Sequence, residues 1–218
     1  MSDVKKDLVV TDDFRKQFSK NQKVDIDVIA EYAPWLLKSN VKFKDAIIDI
    51  DFLDKIIWYD GTWLSGDWES GTWIKGIWKG GFWHTGEWHN GVWEDGIWKN
   101  GVWWNGTWEK GGWEHGTWYD GTWKRGDWLD GTWEDGNWLG GMWHDGTWYD
   151  GEWSAGEWRD GEWKDGTWKG GEFLGGNWLD GTWEDGDWQG GEWFGGNWID
   201  GEWEFGFIDG VMTEEHPV

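Results

Sequence analysis

The chain has 218 residues, a formal charge of −24, 31 Trp, 38 Gly, and neither a cysteine nor more than two prolines. The missing thiols exclude disulfide and thiol chemistry, and no apolar run is long enough for a membrane helix. The aromatic content is far too high for an unfolded chain, and the acidic surface repels nucleic acid and anionic membranes while attracting cations and basic proteins.

The charge is unevenly placed. Residues 1–44 carry a net +2 and the remainder −26, which marks two regions. Met1-Ser2-Asp3-Val4-Lys5-Lys6-Asp7 leads into no apolar signal region, so the expected site of synthesis and folding is a cytoplasm. Residues 1–40 read as a small helical cap or docking segment. Thr11 is placed to cap a short helix with Asp12 and Asp13 in its first turn, and Phe14 and Phe18 give that helix an apolar face. A second helix is expected from about Asp27 to Tyr32, ended or kinked by Pro34 and followed by Trp35, Leu36 and Leu37. Phe14, Phe18, Trp35, Leu36 and Leu37 are the candidate docking residues if this segment ties the chain to a larger assembly.

Residues 41–205 form the repeat. From Trp58 to Trp203 every fifth residue is Trp, except Phe173, and a Gly precedes each Trp from Trp63 onward by two positions. A period of five fits neither a helix nor a flat strand, whereas a short extended stretch plus a corner accommodates it. In the unit Gly-x-Trp-x-x, strand alternation turns the two residues flanking Trp outward and Trp inward. The fifth position is rich in Asp, Asn and Gly, residues that tolerate φ > 0, and so reads as the turn. Four such sides give a near-square coil of 20 residues and about eight coils, a rod near 40 Å long at about 4.8 Å per coil. Trp63, Trp83, Trp103, Trp123, Trp143, Trp163, Trp183 and Trp203 would then stack as one core column. The indole N–H groups are expected to donate to main-chain carbonyls near the corners, because a buried unpaired donor costs about 1–3 kcal/mol.

Val41-Lys42-Phe43, Ala46-Ile47-Ile48, Asp51-Phe52-Leu53 and Ile56-Ile57-Trp58 run in frame into Gly61-Thr62-Trp63. This pattern resembles the pentapeptide-repeat family, with a small residue two before a central Leu or Phe. The resemblance implies an all-β, right-handed quadrilateral β-solenoid. It also implies one possible activity, since some members imitate duplex DNA and occupy DNA-binding enzymes such as gyrase. Trp-Gly repeats of this style also resemble those of phage structural proteins. Residues 206–218, with Phe207, Ile208, Val211 and Met212, read as a C-terminal lid and tail.

The chemical inventory is poor. None of His84, His89, His115, His144 and His216 has a partner at metal-motif spacing. In the 20-residue coil Glu94, Glu114 and Glu134 would stack as a like-charged column without an oxygen cage, so no metal or cofactor is expected. Trp104, Tyr59, Tyr119 and Tyr149 point outward on different sides of that coil, too scattered for a glycan groove. The expected function is therefore a non-enzymatic rigid structural or interaction protein, docked by its N-terminal segment onto a protein partner such as a phage capsid or tail protein. An acidic DNA mimic acting on a DNA-binding enzyme, and receptor or glycan adhesion, are the competing readings.

Overall fold

A computed structural model describes residues 9–217; the Met1–Asp7 reading lies outside the described residues. Short helices α1 (Asp12–Arg15) and α2 (Ile26–Tyr32) and a 3₁₀ turn (Pro34–Leu37) precede β1 (Lys42–Ile50) and β2 (Ile56–Ser65). Strands β3 to β30 follow, each only the residue before Trp and the Trp itself (Phe in one), from Asp67–Trp68 to Glu202–Trp203. β31 (Gly206–Ile208) and β32 (Val211–Thr213) end the chain as an antiparallel pair.

The repeat is a parallel β-solenoid, but its coil has three sides. Trp58 pairs with Trp73, Trp63 with Trp78 and Trp68 with Trp83, a step of 15 residues that continues along the rod. The chain makes roughly 10 turns of about 15 residues in place of eight turns of 20. Trp63, Trp83 and Trp103 accordingly lie in three different columns, as do the remaining members of the expected single stack. At about 4.8 Å per coil the rod is about 48 Å long.

Indole size explains the triangle. Within a coil, successive indoles meet edge to face, for example Trp113 and Trp118 at 6.1 Å and 73°. Between coils the rings are nearly parallel, with centroids 4.7 Å apart for Trp113 and Trp128. Three such rings fill the cross-section and are fully buried from Trp58 to Trp188. A four-sided coil would widen the interior faster than its fourth ring could fill it, and close packing disfavours that void.

The corners also differ in detail from the expectation. The left-handed backbone belongs to the glycine of each unit (Gly121, φ +123°) and not to the fifth residue before it. The fifth residue contributes its side chain: Asp120 Oδ1 accepts the Gly121 N–H at 2.6 Å, and Asn105 Oδ1 does the same for Gly106. The residues on either side of each Trp donate their N–H to carbonyls one coil earlier, as Thr122 does to Gly106 and Lys124 to Trp108. That ladder occupies the Gly and Trp carbonyls which the indoles were expected to use. As a result 26 indole nitrogens, from Trp58 to Trp188, have no nitrogen or oxygen partner. Trp203, at the open end, donates to Thr213 O at 3.2 Å.

Residues 42–56 do not follow the repeat. β1 runs antiparallel to β2 and closes the first coil as a hairpin arm, so the apparent in-frame units before Trp58 form no parallel coils. The parallel ladder begins at Ile57 and Trp58.

Candidate interaction surfaces

The N-terminal segment folds as its local chemistry dictates. Thr11 Oγ1 accepts the Phe14 N–H, and Asp25 caps α2 through the Asp27 N–H. Phe14, Phe18 and Phe43 meet edge to face with centroids 5.2–5.8 Å apart, and Phe43 lies against Trp58 and Trp63. Trp35 covers Trp63 and Trp68 at 6.2 and 5.2 Å. Of the candidate docking residues, Phe14, Phe18, Trp35 and Leu36 are buried in this cap and Leu37 is partly buried against it. Their apolar surface is used on the rod itself.

Two glutamines that carry no sequence signal close the outer edge of β1. Gln17 Oε1 accepts from Phe43 N, and Gln22 both accepts from Ile48 N and donates to Ile48 O, at 2.8, 2.8 and 2.6 Å. Such pairing removes a free edge that would otherwise recruit another strand. The exposed apolar surface of this end lies elsewhere, above all at the β1–β2 turn, where Phe52 is 92% exposed and Leu53 60%. At the opposite end Ile208 continues one Trp column and His216 stacks on Trp198 at 5.9 Å.

The 15-residue coil rearranges the surface. Lys79 meets Glu94, Lys110 meets Asp95 and Lys124 meets Glu109, each pair one coil apart and solvent-exposed, so each contributes little to stability. Glu94, Glu114 and Glu134 do not form a column, because residues 20 apart lie on different sides of this coil. Among the described residues no group of three or more His, Cys, Asp or Glu is arranged to hold a metal ion.

The largest change concerns the outward rings. Tyr59, Trp104, Tyr119 and Tyr149 are separated by multiples of 15 residues, so the fold gathers them into one stripe instead of scattering them. Phe194 extends the same stripe, with Ile74, His89 and Leu179 between. Trp104 and Tyr119 stack at 4.4 Å and 8°, His89 lies 6.2 Å from Trp104, and the Lys164 ammonium sits 5.4 Å from the Tyr149 ring centre. The stripe begins at a cavity of about 420 Å³ lined by Val24, Ile47, Ile48 and Tyr59. It ends at another of about 390 Å³ lined by Phe194, Ile208 and His216. The fifth-position column beside it holds Asp120, Asp135, Asp150, Asp165 and Asp180 on five consecutive coils, all exposed.

No protein-family model matches the chain, and no curated protein matches it in sequence.

Proposed function

We propose that the chain is a non-enzymatic rigid rod, a structural and interaction component of a larger particle such as a phage virion. The observation that carries this reading is the uninterrupted indole core. Three stacked columns and a hydrogen-bond ladder tie every coil to the next, giving a stiff element of constant cross-section whose two ends differ. Attachment is assigned to the cap end, through the exposed Phe52–Leu53 turn rather than the buried Phe and Trp residues behind it. The style of the Trp-Gly repeat, similar to that of phage structural proteins, supports the virion setting.

The test is mass spectrometry of purified particles from the producing cells, with and without the Phe52→Ser/Leu53→Ser double substitution. The expected result is the parent protein at a fixed copy number per particle and loss of the variant from particles. Recovery of the chain only in the soluble fraction, bound to a DNA-binding enzyme, would replace this reading with DNA mimicry.

A further inference from the structure

The aromatic stripe is one flat side of the solenoid with no intramolecular cover, and its surroundings select what can lie on it. Its rings stand nearly perpendicular to the rod axis where they are stacked, so Trp104 offers its edge while its faces are occupied by His89 and Tyr119. A sugar ring needs a free aromatic face, and this arrangement withholds it along the centre of the stripe. Where the stacking is interrupted, at Glu134 and Lys164, the Tyr149 face takes an ammonium group, here the chain's own Lys164.

The flanking charge points the same way. None of Asp120, Asp135, Asp150, Asp165 and Asp180 forms an ion pair with a described residue. One carboxylate oxygen of each accepts the following glycine N–H, for instance Asp150 to Gly151 at 2.7 Å. In Asp120 the other oxygen also accepts from Asn105 Nδ2 at 3.2 Å, whereas in the other four it faces solvent or a partner. Elsewhere on the rod Lys110 and Lys124 sit opposite Asp95 and Glu109 and supply such neutralisation internally.

We propose that this side binds an extended, Lys/Arg-rich polypeptide segment lying along the rod axis. Its cationic groups would meet the Asp column and the open ring faces, and its aliphatic stems would cover Ile74, Leu179 and the ring edges. The inference rests on the reading of the chain as an interaction rod and gives the chemistry of one partner. Tyr59 to Phe194 spans nine coil steps, about 43 Å at the inter-strand spacing, which matches about 13 residues of extended chain.

The experiment is calorimetric titration of the full chain with oligo-arginine peptides of about 6 and about 13 residues. Two charge-matched variants are compared. In one, the five aspartates of the column become Asn. In the other, Glu114, Glu172, Glu202 and Glu204 become Gln and Asp187 becomes Asn on a different side. Asn90 and Asn105 already occupy the substituted column and accept the same glycine N–H, so the first variant keeps its corners. The longer peptide should bind the parent more tightly than the shorter. The column variant should lose about tenfold or more, since five weak charge contacts are removed together. The control variant should lose much less, and Trp104→Ser with Tyr119→Ser should weaken binding at temperatures where the chain stays fully folded, the lost stack lowering its melting temperature only slightly. Equal losses in both charge variants would reduce the effect to bulk polyanion attraction and overturn the proposal. So would tight binding of a neutral oligosaccharide with no preference for the cationic peptide. Either result leaves the particle test of the rod unaffected, and absence from particles leaves this titration readable.

Discussion

Gly121→Ala tests the reason for the repeated glycine, and Gly112→Ala supplies the internal control. At Gly121 the backbone has φ +123°, and an added Cβ would press on the Gly106 carbonyl oxygen of the preceding coil while lying 2.9 Å from Gly106 N. Both contacts are backbone, the oxygen held in the ladder by Thr122 N and the nitrogen held by Asn105 Oδ1, so neither can swing aside. A side chain forced into that region of φ costs about 1–3 kcal/mol, and overpacking adds about 1–3 kcal/mol. The expected loss is therefore about 2–6 kcal/mol, a large share of a typical domain's net stability. Gly112 is the residue just before Trp113, has no left-handed φ, and would place its Cβ with nothing within 4 Å. Alanine there should be neutral to stabilising by about 0.4–1 kcal/mol, through a less disordered unfolded chain. Denaturant melts followed by near-ultraviolet circular dichroism give the global effect. Hydrogen exchange gives the local one, because stability in a solenoid is largely a sum of nearest-neighbour terms. Exchange should rise in the coils around residues 106–136 in the first variant only. A Gly121→Ala chain that melts like the parent, or a Gly112→Ala chain damaged equally, would refute the close approach of coils at the corners.

Phe173 interrupts its column, with centroids 5.7 Å from Trp158 and 4.3 Å from Trp188, so Phe173→Trp should restore even spacing and raise the unfolding free energy by about 1 kcal/mol, read as a higher denaturation midpoint. Gln22→Ala removes three hydrogen bonds, two of them to Ile48 at the β1 edge, and should cost about 1–3 kcal/mol, with faster exchange in residues 42–50 and concentration-dependent aggregation by light scattering. Asp13 is held below its usual pKa by its hydrogen bond to Lys16 and by that residue's charge. Its contribution is thus present above the unfolded carboxylate value near 3.8 and lost as pH falls through the lower folded value. Lys16→Ala should move the Asp13 carboxyl titration upward by NMR, and an unmoved titration would discard the pair. The Phe52→Ser/Leu53→Ser chain should melt within about 0.5 kcal/mol of the parent, as expected for exposed residues, so that any loss from particles reports docking.

The period of five and the inward Trp were legible because the pattern leaves no other apolar set to build a core. The number of sides was not, since a corner every five residues closes equally well after three units or four. Signals at a lag of 15 were nonetheless present. Lys79 and Glu94, Glu109 and Lys124, and Trp104 and Tyr119 are complementary neighbours at that lag, whereas a lag of 20 stacks Glu94, Glu114 and Glu134 against one another. The square coil is one of the two closures that the turn spacing allows and the one that the resemblance to pentapeptide repeats also implies, and the same choice scattered the outward rings. At the cap, Phe14 and Phe18 were recognisable as an apolar face, but whether that face meets a partner or the first coil depends on contacts more than 20 residues apart. Gln17 and Gln22 act through side chains that many conformations would leave in solvent, so nothing local marks them.

The unpaired indoles show why a triangular core is tolerable. Leaving 26 N–H groups without an oxygen acceptor at about 1–3 kcal/mol each would by itself unfold an ordinary domain. Each interior Trp, however, contributes on average one stacked and one edge-to-face pair, as Trp113 does with Trp128 and Trp118. At about 0.5–1.5 kcal/mol per pair these offset the penalty at the same order, before burial is counted. Burying about 200 Å² of indole at about 25 cal/mol per Å² contributes about 5 kcal/mol more per residue. A wider four-sided coil would lengthen those contacts while keeping every desolvated N–H. For a core made of Trp alone, the compact three-sided coil is the arrangement in which each ring packs closely on neighbours both within its coil and in the coils above and below.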